Sequence, residues 1–281
     1  MKTVKFLFLG LIFLLPGLQG CGQKYKYLEG REDLAGVNAE NGMEDSITIR
    51  VIYDNYLKDR KLEADWGYSI LIEGLEQEIL FDTGTKPEIF ENNFKKMGID
   101  AGKIDMLVIS HEHYDHIGGI PAFVKMKTGI PVLIPYAFSE KFKKDMTAYS
   151  LQPVLVREPA KICEHLYTSG VFDFEIAEQA LVINTKKGLV VMTGCSHPGI
   201  IEILKKIRSD FRKDIYMVFG GFHLMQKSDS EMEALISEMR AIGVLKCGAT
   251  HCTGDRQIEM FRNYFGENYV EMGVGNIVSI Y

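Results

Sequence analysis

The segment Ser110-His111-Glu112-His113-Tyr114-Asp115-His116 carries three histidines and one aspartate within six residues. Neutral imidazole nitrogens and a carboxylate are the donors that zinc and other borderline divalent metals prefer. Four donors in one turn exceed what a single tetrahedral ion takes from one segment. The pattern therefore favours two ions, each completed from elsewhere in the chain. A solvated polar loop is the alternative. The continuous apolar run at residues 104–109 argues against it, because it delivers the turn from a buried strand. At the end of such a strand, His111 and His113 can face one way and Asp115 and His116 another.

Two other segments offer the missing donors. Cys195-Ser196-His197 follows an apolar run at 189–193, and His251-Cys252-Thr253-Gly254 follows a run at 247–250. His223 comes just after a third run, at 215–219, so it is expected to face the same place. Strand ends that open into helices are where α/β proteins put their sites.

The elements that must position these groups follow from periodicity. Period-two or continuous apolar patterns predict strands at 47–53, 68–73, 78–81, 104–109, 132–134, 181–184, 189–193, 215–219, 247–250 and 276–280. Helical patterns, several with Pro near the start or Gly past the end, fall at 86–97, 117–126, 198–208, 230–241 and 255–264. Strands come first, then strands alternate with helices. That order suits sheets flanked by helices.

Composition agrees with a folded domain: of 281 residues, 46% are hydrophobic and 25% charged. The net charge of −6, with no run of Lys or Arg, sets nucleic acid aside as a partner. Five cysteines with no C-x-x-C pair exclude a disulfide scaffold. The oligomeric state is not readable from the sequence.

Residues 1–20 read as a signal peptide. Lys2 and Lys5 form a basic start, and the apolar stretch at 6–15 is too short to span a bilayer. Leu18-Gln19-Gly20-Cys21 resembles the lipobox of bacterial lipoproteins, which implies cleavage before Cys21 and lipid on its sulfur. Losing Lys2 and Lys5 takes the formal charge from −6 to −8, so any membrane attachment rests on the lipid alone. The expected location is extracytoplasmic and membrane-attached. Residues 21–45 read as a tether and 46–281 as the catalytic domain.

His111-x-His113-x-Asp115-His116 resembles the hallmark of the metallo-β-lactamase fold superfamily. Phe81-Asp82-Thr83-Gly84, lying 29 residues upstream of His111, resembles its first motif. The resemblance covers residues 47–281 and implies an αββα sandwich, with two central mixed sheets flanked by helices. It implies that Asp82 supports the metal loop through hydrogen bonds without binding metal. His251 matches the last ligand motif. At the end of run 189–193 many relatives carry Gly-Asp, with the aspartate bridging both metals and a separate histidine earlier. Here Gly194 is followed by Cys195. Either Cys195 ligates in place of that aspartate, or His197 ligates and Cys195 only packs. His165 and Glu178 are the remaining candidates.

The motifs F-D-T-G, H-x-H-x-D-H, G-C-S-H-P-G-I, G-G-F-H-L and H-C-T-G together resemble a subfamily that includes a dihydropterin–ribofuranosylaminobenzene-phosphate synthase. Trp66-Gly67-Tyr68-Ser69 belongs to the same likeness, and residues 54–65 before it are expected to form a lip over the metals. The function this implies is a hydrolase with two divalent transition-metal ions, Zn2+ foremost. It would act through metal-bound hydroxide on a phosphorylated small molecule. His111, His113, Asp115, His116, His197 and His251 are the expected ligands, with Cys195 in question. Asp115 doubles as proton acceptor, and His223 acts on the leaving group. A transferase like the synthase is the alternative.

Overall fold

The computed structural model describes residues 25–30, 34, 37, 42–43 and 46–280. Residues 1–20, expected to be a signal peptide, and Cys21 lie outside the described residues. Among the described residues the chain forms the expected αββα sandwich.

The first half builds one sheet. Its strands are β1 (Lys26–Tyr27), β2 (Ile47–Tyr53), β3 (Ser69–Glu73), β4 (Glu78–Phe81), β5 (Ile104–Val108), β6 (Pro131–Pro135) and β7 (Gln152–Val156). Helices α1 (Pro87–Lys96), α2 (Tyr114–Ile117), α3 (Ile120–Met126) and α4 (Glu140–Ala148) interrupt them. The second half builds the other sheet from β8 (Ala160–Cys163), β9 (Leu166–Phe172), β10 (Glu178–Thr185), β11 (Gly188–Thr193), β12 (Ile215–Gly221) and β13 (Lys246–Thr250). It carries α5 (Ile200–Phe211), α6 (Asp229–Ile242) and α7 (Asp255–Phe265), and β14 (Ile277–Ile280) returns to the first sheet. The strand orders are β1-β7-β6-β5-β4-β3-β2-β14 and β13-β12-β11-β10-β9-β8. Both sheets are mixed. β4 to β7 run parallel to one another, as do β11 to β13, while β2–β3, β3–β4 and β8 to β11 pair antiparallel.

Alternation along the strands divides the apolar residues between three layers. Ile49, Val51, Ile70, Phe81, Val108, Leu181, Val190 and Phe219 fill the space between the sheets. Ile52, Leu71, Leu80 and Leu107 face the other way, against Phe90 and Phe94 of α1, Phe123 of α3 and Phe142 of α4. On the outer face of the second sheet, Val191 and Val218 meet Leu204, Ile207 and Phe211 of α5, Met232 and Met239 of α6 and Phe261 of α7.

Residues 21–45 do not all behave as a tether. β1 pairs in parallel with β7 (Lys26↔Val154), and Leu28 N–H donates to the Leu155 carbonyl at 2.9 Å. Leu34 and Val37 are buried against the outer cluster of the second sheet. The open edge of β7 offers unpaired backbone groups, and this passing segment covers them. The helix expected at 117–126 begins only at Ile120, as α3, and the separate turn α2 precedes it over Tyr114–Ile117. Gly118 lies between them, and a Cβ there would overlap the Thr85 carbonyl oxygen, so this approach of the two site motifs admits only glycine.

Phe219 is fully buried between the sheets. Phe219→Ala should lower the unfolding free energy by about 3–5 kcal/mol in urea titration. Tyr264→Ala, at a half-exposed position on α7, should stay within about 0.5 kcal/mol.

Candidate metal centre

The centre is assembled on one buried carboxylate. Asp82, just beyond β4, has no exposed surface and takes a left-handed backbone (φ 58°). Its Oδ1 accepts Ser110 N–H at 2.7 Å, and its Oδ2 accepts Ser110 Oγ–H at 2.7 Å. His116 Nδ1 lies 2.7 Å from the same Oδ2. An ionised carboxylate only accepts, so His116 Nδ1 carries the proton and Nε2 presents its lone pair. Ser110 Oγ, having donated to Asp82, accepts from His111 Nδ1 at 2.9 Å, which leaves His111 Nε2 free in the same way. The loops are joined by backbone as well: Thr83 N–H donates to the His116 carbonyl at 2.8 Å and Tyr68 N–H to the Asp115 carbonyl at 3.2 Å. His251 is fixed from the other sheet. Its Nδ1 donates to Asn55 Oδ1 at 3.0 Å, and Asn55 Nδ2 returns a bond to the His251 carbonyl at 2.8 Å.

With the far nitrogens pinned, the near ones converge. His111 Nε2 and His197 Nε2 are 3.3 Å apart, and the His113 ring packs edge-on against both, its centroid 4.7 Å from each of theirs. Cys195 Sγ lies 3.2 Å from His116 Nε2 and 3.5 Å from His251 Nε2. Asp115 Oδ2 lies 3.4 Å from His251 Nε2 and 3.7 Å from His116 Nε2. Donor atoms of Asp115, His116, Cys195 and His251 lie within 4.8 Å of one another, as do those of His111, Cys195 and His197 and those of His111, His113 and Asp115.

These spacings fit a bound metal. With Zn–N near 2.0–2.1 Å and Zn–S near 2.3 Å, a tetrahedral shell puts neighbouring nitrogens about 3.3–3.4 Å apart and nitrogen and sulfur about 3.6 Å apart. His111, its Nδ1 proton engaged by Ser110, turns the Nε2 lone pair toward His197 Nε2 at 3.3 Å, a spacing that a shared cation would also produce. The donor set of imidazoles, one carboxylate and a thiol suits zinc and similar ions.

Electrostatics follow the same division. Burial, reinforced by the neighbouring imidazoles, holds His111 well below its ordinary pKa, and burial lowers His197 to about 4. Both are neutral at physiological pH. Burial opposes charge on His116 too, but Asp82 wins and raises it to about 9, so a cation there competes with a proton. Burial pushes Asp115 up, yet His251 and His116 beside it hold the carboxyl below the usual range. That suits a ligand better than a proton acceptor. Burial also keeps the Cys195 thiol above its ordinary value in the absence of a cation.

The structure assigns other tasks to the remaining candidates. Glu178 is buried, and its carboxylate accepts three backbone N–H groups: Cys195 and Ser196 at 2.8 Å on Oε1, and His197 at 2.7 Å on Oε2. It holds the loop that presents Cys195 and His197. Glu178 opens β10 beside Gln179, and no local pattern in the sequence marks it for such a task. His165 sits in the β8–β9 turn. Its carbonyl accepts from Asn184, near the end of β10 away from Glu178, so it is remote from the cluster. His223, just beyond β12, stacks on His197 with centroids 4.5 Å apart.

Sequence reasoning missed Asn55 and the indole hydrogen bond that Trp66 Nε1 donates to Asp115 Oδ2 at 2.9 Å. Residues 54–65, expected as a lip, are tied down. Asp54 accepts Thr250 Oγ1 at 2.8 Å, Tyr56 donates to Asp255 at 2.6 Å, and the Glu63 amide donates to Asn93 Oδ1 at 2.9 Å.

Comparison with known proteins agrees with this architecture. A curated relative, the 7,8-dihydropterin-6-methyl-4-(β-D-ribofuranosyl)-aminobenzene-5′-phosphate synthase of Methanocaldococcus jannaschii, is 29% identical over 287 residues, spanning 84% of this chain and 98% of the synthase. The crystal structure of Tm1679, a metal-dependent hydrolase of the β-lactamase superfamily, is also 29% identical. It covers 83% of this chain and 99% of its own, with a TM-score of 0.70. A diphosphatase from the PhnP family shares the fold at 15% identity and a TM-score of 0.58, covering 84% of this chain and 98% of its own. Residues 65–207, about half of the chain, match the family model described as the metallo-beta-lactamase superfamily. With that match, and with the two-sheet sandwich carrying its histidine-rich cluster at the strand ends, the chain belongs to the metallo-β-lactamase superfamily.

Proposed function

We propose that this protein is a metal-dependent hydrolase acting on a phosphorylated small molecule. The observation that carries the reading is the convergence of two donor sets on Cys195, beside a cavity of about 430 Å³ lined by His223, Met225, Gln226 and Lys227. His111, His113 and His197 would hold one ion, and Asp115, His116 and His251 the other, with Cys195 between them. Divalent ions held there, Zn2+ by donor chemistry, would supply Lewis acidity and stabilise developing negative charge.

The chain's own residues do the rest. Asp82 and Asn55 hold the ligating imidazoles in the tautomers that face the substrate. His223 sits where the cluster meets the cavity. A hydrogen bond with Cys252 raises its pKa against the effect of burial. It is therefore suited to keep a proton and pass it to a leaving oxygen. Lys227, paired with Glu231 at 2.8 Å, brings positive charge to the same cavity. The phosphorylated substrate class draws on the synthase, whose name includes a 5′-phosphate, and the hydrolytic chemistry on the relative described as a metal-dependent hydrolase.

A synthase activity is the second reading, favoured by a likeness that runs over 98% of the synthase's length. The N-terminal pattern at residues 1–21 weighs against it, since an exported lipoprotein would be separated from cytoplasmic pterin intermediates. The same pattern supports an extracytoplasmic, lipid-anchored location.

Elemental analysis of reconstituted protein should find about two ions per chain. His197→Ala and His251→Ala should each remove about one, and no more than one ion in the wild type would defeat the dinuclear reading. Against a panel of phosphomonoesters, phosphodiesters and cyclic phosphates, the metal-loaded protein should hydrolyse at least one class. For that substrate His223→Ala should lower kcat by about 10²–10⁴, and chelation should abolish turnover. Condensation of a pterin with an aminobenzene, without phosphoester hydrolysis, would favour the synthase instead. Cell fractionation should find the wild type on the membrane with lipid on Cys21. Cys21→Ser should release it or leave it unprocessed. A cytoplasmic protein with Met1 retained would overturn the export reading.

A further inference from the structure

The donor cluster does not end with the two sets that meet at Cys195. Toward β12, Cys195 Sγ, a ring nitrogen of His223 and Cys252 Sγ lie within 4.8 Å of one another. Cys252 is 1% exposed. A buried cysteine ordinarily behaves as a small hydrophobe among apolar neighbours. Cys252 instead faces a second thiol and an imidazole, and its Sγ lies 3.7 Å from the Cys195 carbonyl oxygen, to which it donates. The surrounding backbone is cut back to admit it. A Cβ on Gly221 would stand 2.8 Å from Cys252 Sγ and 2.9 Å from His251 Cδ2. His223 is turned into place by a left-handed backbone (φ 53°), as is His251, the residue before Cys252 (φ 45°).

We propose that Cys195, His223 and Cys252 form a further metal seat, soft in character and inhibitory in effect. This rests on reading the cluster as a metal centre. Two thiolates and an imidazole select thiophilic ions such as Zn2+ and Cd2+ over hard cations. Binding forms two metal–sulfur bonds and one metal–nitrogen bond; Cys252 releases its thiol proton and His223 the proton it would otherwise carry, both to solvent, while Cys195, already a thiolate in the proposed centre, has none to release. His223 also lines the cavity, so the seat is reachable from outside. Because the ion takes the lone pair of His223, that imidazole can no longer carry a proton to a leaving group. The seat thus makes an excess of soft metal an inhibitor.

Cadmium alone is the probe, with the full chain and ultraviolet thiolate-to-cadmium charge transfer as the readout. At saturation the wild type should show a band worth two thiolates. Cys252→Ser should lose about half of it together with one equivalent of bound Cd2+, and an unchanged band would overturn the proposal. Should Cys252→Ser fail to fold by circular dichroism, His223→Gln, at an exposed position, decides the matter. It should weaken the last Cd2+ equivalent by about 10-fold or more, and an unaltered affinity would refute the seat. Bound ions without any thiolate band in the wild type would refute it too, while leaving a centre of imidazoles and carboxylate. A protein that binds no ion at all would overturn both this seat and the proposed function.

Discussion

Asp82 is the constraint on which the centre depends. A carboxylate with no exposed surface is costly unless its oxygens are fully occupied. Here the occupants are Ser110 and His116, both from the loop that follows β5. The same three contacts that satisfy the charge fix the imidazole of His116 directly and that of His111 through Ser110 Oγ. One buried charge thus orients a histidine in each of the two donor sets. Breaking its hydrogen bonds would cost about 3–5 kcal/mol for the stranded ion, so the orientation is held far more firmly than by a surface contact.

The sheets supply the rigidity that this arrangement needs. Asp82, Ser196, His223 and His251 all take left-handed backbone conformations without being glycine. Each stands in the loop just past a parallel strand: β4, β11, β12 and β13. Such residues cost about 1–3 kcal/mol apiece and persist where the surroundings over-determine them. The determinants can be named. Glu178 grips the Ser196 loop through three amides, Asn55 clasps His251 at its ring and its carbonyl, and the Thr83–His116 bonds tie the first two motifs together. Turning the chain sharply at strand ends helps bring donor atoms from as many as three loops within 4.8 Å of one another.

Strong periodicity made most of the fold legible. The run that became β11 is buried throughout and those that became β5 and β12 nearly so, while β2 alternates buried and half-buried residues, the two patterns that short strands show. The segments not read from sequence are those whose signals are mixed. β7 contains Pro153 and has an exposed end, β8 is half-buried, and α4 is rich in lysine and declares itself mainly through the Ser139 cap. The ligand-bearing loops were legible because histidine is scarce, with seven in the chain. Six gather in the cluster. The partners that orient them were not legible, because Asn55 and Glu178 come from segments 196 and 17 to 19 residues away and belong to no local pattern.

The choice between Cys195 and His197 dissolves once the loop is seen as a unit. Glu178 accepts from the amides of both residues and of Ser196 between them. The turn at Ser196 sends Cys195 Sγ toward His116 and His251, and His197 Nε2 toward His111. In the proposed centre a single short loop would thereby fill two positions that the family resemblance distributes over an aspartate and a separate upstream histidine. That explains why His165 is free to remain in a distant turn. It also changes the chemistry available at the shared position of the proposed centre. A carboxylate has two oxygens to offer such a centre, whereas the Cys195 thiolate would offer a single sulfur. The sulfur is also a softer donor, so this centre should favour thiophilic ions more strongly than one bridged by oxygen.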